Sequence, residues 1–193
     1  MKLVLKILGV VILLMFITVG ILWQQGIIVK QREINIVKID CSKKDSLFQM
    51  IERRTLTRDS DDFKTMIEND YLNVEASVSF IKSCGSPRVK NISGDQADYL
   101  FLSIQHSPDH EVLSEYFATI KQMWLDGYLE VESFALMQDR YLIHEDKPQI
   151  FGTQYDSDGK IFEVDNMDSV KVRRRILGLE PLEEYMKKRK EVY

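Results

Sequence analysis

The sequence predicts a mainly α protein: a compact multi-helix domain with one β-hairpin, preceded by a single N-terminal transmembrane helix. Three observations carry that prediction. Apolar residues recur at three- and four-residue spacing from Ser46 to about His144. Two short alternating runs flank a turn-forming Asp156-Ser157-Asp158-Gly159. The stretch up to Trp23 is an almost uninterrupted apolar run. The chain therefore divides into residues 1–23 as anchor, 24–43 as juxtamembrane tether and 44–193 as a helical domain.

From Ile7 to Trp23 the only polar side chain is Thr18, and Leu3, Val4 and Leu5 extend the run past Lys6. At about 1.5 Å per residue, Leu3 to Trp23 spans roughly 30 Å, the hydrocarbon thickness of a bilayer. Lys2, Lys6 and the N-terminal amine favour a cytoplasmic N-terminus, which puts the domain outside the cytoplasm. A cleaved signal peptide fits less well, because it needs a shorter apolar stretch and a small-residue cleavage site. The membrane is thus an expected partner, reached through the N-terminal helix.

Composition excludes several classes. With 193 residues, 45% of them hydrophobic, 26 Lys+Arg, 30 Asp+Glu and 2 Cys, the chain is neither a disordered tail nor a disulfide-dense mini-protein, and not a polytopic membrane protein. Setting Lys2 and Lys6 aside leaves 24 basic against 30 acidic side chains, a net charge of −6. No nucleic-acid partner is expected from so acidic a body. Arg173-Arg174-Arg175 and Lys187-Lys188-Arg189-Lys190 read as solvated helix faces. Cys41 and Cys84 are able to pair in an oxidising compartment, although two cysteines alone do not require it.

Along the body, Glu33-Ile34-Asn35-Ile36-Val37 reads as an extended strand or tether. Leu47, Met50 and Ile51 mark a first helix, and Phe63, Met66 and Ile67 a second, after Ser60-Asp61-Asp62. Asn73 to Lys82 carries Val74, Val78 and Ile81 on one face and stops at Cys84-Gly85-Ser86-Pro87, where glycine accepts the left-handed cap and proline cannot continue. Gly94 to His106 is the most apolar helix and is expected at the centre. Ser107 as N-cap and Pro108 in the first turn start the next, which buries Val112, Leu113, Tyr116, Ile120 and Met123 and ends at Gly127. A helix over Glu130 to His144 follows. Gln149 to Tyr155 and Lys160 to Val164 are the expected hairpin strands. Two short helices close the chain, one ending at Gly178 and one starting at Pro181.

Val74 to Tyr185 resembles a bacterial family of unknown function in four blocks. These are Gly85-Ser86-Pro87; Gln105-His106 with Asp109 and His110; Asp139-Arg140 with Pro148-Gln149 and Gly152-Thr153-Gln154; and Arg174 with Gly178-Leu179, Pro181-Leu182 and Glu184-Tyr185. The third block is the most specific. The resemblance implies a domain identity and no activity.

The residues themselves suggest a polar site. His106 ends an apolar helix, where a neighbouring carboxylate would make it a general acid or base. Asp139 lies in a largely enclosed helix and needs a partner: His106, a structural arginine or the hairpin backbone. Arg140, about 100° round the same helix, presents a fork suited to a carboxylate or phosphate. Gln149, Thr153 and Gln154 supply amides and a hydroxyl, chemistry for recognition or bracing rather than proton transfer. No complete calcium loop, zinc motif, nucleophile elbow or phosphate loop occurs, so neither metal nor cofactor is expected. The expected function is binding or interaction by a membrane-anchored, extracytoplasmic domain, with an unidentified small molecule or protein as ligand. The alternatives are a hydrolase using His106, Asp139 and Arg140, or a purely structural polar network.

Overall fold

The computed structural model describes residues 32–85, 92–156 and 158–192. Seven α-helices lie among them: α1 (Lys44–Thr57), α2 (Phe63–Cys84), α3 (Gly94–Gln105), α4 (His110–Leu125), α5 (Val131–His144), α6 (Met167–Leu177) and α7 (Leu182–Val192). The segment 1–23, expected to form the anchor, lies outside the described residues, as do Ser86 and Pro87. Among the described residues no helix is long and apolar enough to cross a membrane.

The first described element is an extended strap. Its amides at Asn35, Val37 and Ile39 donate to Glu75 Oε1 (3.1 Å), Ser79 Oγ (3.0 Å) and Ser83 Oγ (3.1 Å) on α2. Two residues of extended chain advance about 6.6–6.8 Å and four residues of helix about 6.0 Å, so alternate amides of one meet every fourth side chain of the other. Arg32 reinforces the start of the strap, donating to Glu68 at 3.0 Å and stacking its guanidinium on the Tyr71 ring. The Cys41–Cys84 disulfide ties its far end to the last turn of α2. The stretch read in sequence as an extended strand or tether is, from residue 32 onward, extended and laced to the domain.

Caps explain most helix limits. Asp62 accepts the amides of Lys64 and Thr65 and starts α2, which runs 22 residues as one helix. Its stop at Gly85 falls where expected, although φ 86° and ψ 175° put the glycine in a positive-φ extended conformation and not in the left-handed helical cap. Ser93 and Gln96 form a reciprocal capping box on α3. Asp109, rather than Ser107, caps α4, because its carboxylate reaches the amide of Glu111. Inside the bundle, Phe48, Ile51, Val78, Leu100, Ile104 and Ile120 form the main core. On α1 the buried positions are Phe48 and Ile51, whereas Met50 faces solvent; on α2, Phe63 is exposed. A smaller core gathers Phe134, Ala135, Phe151 and Leu179, with Trp124 stacked on Phe134 at 4.0 Å.

The expected hairpin does not form. Among the described residues there are no strands, only two isolated bridges, Gln149 with Val164 (parallel) and Tyr155 with Ile161 (antiparallel). The turn between them is present, with Gly159 N donating to Asp156 O at 3.1 Å. The ladder fails because Gly152 adopts φ 74° and because the amides of Ile150, Phe151 and Thr153 donate to a side chain instead of a partner strand. The fold is therefore a mainly helical bundle joined to α6 and α7 by an irregular, side-chain-braced loop.

Candidate functional site

Asp139 is fully buried on α5, and its carboxylate organises the loop. Oδ1 accepts the amides of Ile150 (2.8 Å) and Phe151 (3.0 Å). Oδ2 accepts the amide and the hydroxyl of Thr153, both at 2.9 Å. Burial pushes its pKa up from the ordinary carboxylate value, and the four donors act in the opposite direction. With both oxygens doubly engaged, Asp139 has no lone pair left to orient an imidazole without giving up a loop contact.

Gln149 braces the same loop from its other side. Its Nε2 donates to the carbonyls of Gln154 (3.1 Å) and Phe162 (3.0 Å), while its Oε1 accepts the Gln154 amide at 2.9 Å. A fully buried amide thus supplies the pairing that a neighbouring strand would have given. Gly152 is required twice over, by its positive φ and by a Leu182 methyl that would lie 2.8 Å from an added Cβ.

A residue that composition alone misplaced completes the arrangement. Arg174, expected on a solvated face, is 3% exposed. Its Nη1 donates to Phe151 O (2.8 Å), its Nε to Glu180 O (2.6 Å), and its guanidinium lies 4.9 Å from the Tyr185 ring centre. The loop is held between a buried anion that takes its amides and a buried cation that takes its carbonyl. The only sequence signal for this role was the resemblance block containing Arg174, since three consecutive arginines read as surface.

Arg140 follows Asp139 on α5, and the two do not pair. Its Nη1 donates to Gln105 O at 2.5 Å and its Nε to Gln154 Oε1 at 3.3 Å, so the end of α3 and the loop meet on it. Among the described residues no carboxylate pairs with it. Burial, then the nearby Arg58 charge, lowers its pKa. Arg58 itself grips buried Asp70 with two bonds, of 3.0 and 3.1 Å, a pair that sequence reading did not single out.

His106 lies at the end of α3 beside these two arginines. Burial, then the charges of Arg58 and Arg140, drive its pKa down to about 3, so it is neutral over the physiological range. No hydrogen bond joins it to Asp139 among the described residues. His144 is likewise shifted down, by burial, by His110 stacked edge-on at 4.3 Å, and by Arg140. The structure thus brings Asp139, Gln149, Thr153 and Gln154 into one braced loop, joins Arg140 to it through Gln154, and sets His106 in the field of Arg140. Among the described residues, no group of three or more His, Cys, Asp or Glu side chains is placed to hold a metal ion.

Fold and site together define a small helical domain built around a carboxylate-clamped loop, with an arginine at its edge that pairs with no carboxylate among the described residues. The chain belongs to a family of unknown function, DUF6624, whose sequence profile matches residues 62–193. No curated protein and no solved structure matches it.

Proposed function

We propose that this domain is a binding module held at the outer face of a membrane, and that its ligand carries an anionic group seated on Arg140. The observation that carries the reading is a partly buried guanidinium with no carboxylate partner among the described residues, set beside a second arginine and the neutral His106. Desolvating a charge costs several kcal/mol unless a counter-charge meets it, so such a group is poised to take an anion. Two features support the location: the apolar run up to Trp23, and the pairing of both cysteines, which persists in oxidising compartments.

The hydrolase alternative requires His106 as base and Asp139 as its orienting partner. A base with a pKa near 3 is far from the near-neutral value that general-base catalysis favours. The fully engaged carboxylate of Asp139 favours an architectural role for that residue. Calorimetric titration of the full chain in neutral detergent with inorganic phosphate tests the proposal. Saturable binding is expected, weakened at least tenfold by Arg140→Gln with helical circular dichroism unchanged. Equal binding by the variant, or none by the parent chain, would sink the reading.

A further inference from the structure

Thr153 of the clamped loop also lines a cavity. It lies between α5, the loop and α7, has a volume of about 360 Å³ and includes Arg174 in its floor. We infer that it binds a free aliphatic amino acid, carboxylate on Arg174 and ammonium toward Glu132. At 3% exposure Arg174 is a charged side chain enclosed on nearly every side, and it makes no ion pair with any carboxylate among the described residues. Two of its nitrogens are used on carbonyls, and Nη2 has no hydrogen-bond partner among the described residues. Asp139 and Glu180 supply counter-charge only at a distance, the oxygens of Asp139 being taken by the loop. A carboxylate entering the cavity would meet a guanidinium already fixed by two hydrogen bonds and a tyrosine face, which lowers the ordering cost of binding.

The rest of the wall narrows the ligand class. Glu180 is engaged by Lys188, so its charge is compensated within the pair. Glu132 lies on α5 at the cavity lining with no partner among the described residues, and it suits an ammonium. Ala135, Leu136 and Leu179 supply an apolar wall, and the volume lies in the range of small-molecule sites. A carboxylate, an ammonium and an aliphatic side chain are the three parts that this lining matches.

The test uses the full chain in neutral detergent and three probes: L-leucine, L-leucinamide, which lacks the carboxylate, and 4-methylpentanoate, which lacks the ammonium. Binding is read from amide shifts of Thr153 and Leu179. The inference predicts saturable binding of leucine, with leucinamide and 4-methylpentanoate each at least tenfold weaker. Arg174→Lys tests the fork, but it also removes loop contacts and endangers folding. The surface variant Glu132→Gln therefore carries the decision: it should cost leucine at least tenfold and leave 4-methylpentanoate unchanged. Leucine and leucinamide binding alike, no response to leucine, or insensitivity to Glu132→Gln would overturn the inference. A leucine response abolished by Arg140→Gln and untouched by Glu132→Gln would also overturn it, and would assign the effect to the anion site instead.

Discussion

Replacing His106 with glutamine should flatten the acid branch of the stability profile. An imidazole free in the unfolded chain titrates near 6.5, whereas in the fold burial and the Arg58 and Arg140 charges hold it near 3. Between those values the unfolded chain binds a proton that the folded one refuses. Stability is therefore intact above about pH 6.5 and falls as pH drops toward about 3. Each pH unit in that window costs about 1.4 kcal/mol, so by pH 4.5 the parent chain loses about 2–3 kcal/mol through this residue alone. Urea unfolding of parent and His106→Gln chains at pH 7.5, 6.0 and 4.5 measures it. Trp124, stacked on Phe134, serves as reporter in a Trp23→Phe background. Carboxylate titrations common to both chains cancel in the difference. The variant should gain about 2–3 kcal/mol relative to the parent between pH 7.5 and 4.5. A difference independent of pH would refute the reasoning, because it would mean that His106 protonates as readily folded as unfolded.

Other outcomes follow from the same geometry. Asp139→Asn turns an acceptor into a donor facing the amide and hydroxyl of Thr153, and should cost about 3–5 kcal/mol in urea unfolding; a loss below about 1 kcal/mol would contradict the clamp. Gly152→Ala places a methyl against Leu182 in a left-handed backbone conformation and should cost about 1–3 kcal/mol, seen as a lowered urea midpoint. Removing both Cys41 and Cys84 as serines should lower stability by about 2–4 kcal/mol and speed hydrogen exchange at the amides of Asn35, Val37 and Ile39. Unchanged exchange there would show that the strap is held by its hydrogen bonds alone.

Local chemistry made the helices readable. Asp62, the Ser93 and Gln96 pair, Gly85 and Gly178 act within a turn of the ends that they set, so spacing reveals them. The hairpin was misread although its turn at Asp156 to Gly159 is real. Its amides are claimed by Asp139, more than ten residues earlier on another element, and no local pattern displays that competition. The lacing of the strap was not legible for a related reason: its acceptors Glu75, Ser79 and Ser83 lie about 40 residues further along the chain, on another element. Within the site, enclosure by Phe134 to Met137 and Tyr141 to Ile143 showed that Asp139 needed a partner, without showing that the loop backbone would be that partner. Arg174 was hidden by its neighbours, since Arg173 bonds to Asp165 near the surface and Arg175 is exposed.

Arg140, as proposed above, is an anion receptor rather than one more brace of the loop. The most direct measurement follows the Arg140 Nε–Hε resonance of the full chain during titration with inorganic phosphate, with the His106 ring signals recorded in the same spectra. The account predicts a saturable shift at Arg140 together with an upward move of the His106 pKa, because a bound anion offsets the guanidinium field that holds it down. A resonance that stays fixed while other arginines shift, or a His106 titration unmoved at saturating phosphate, would contradict it.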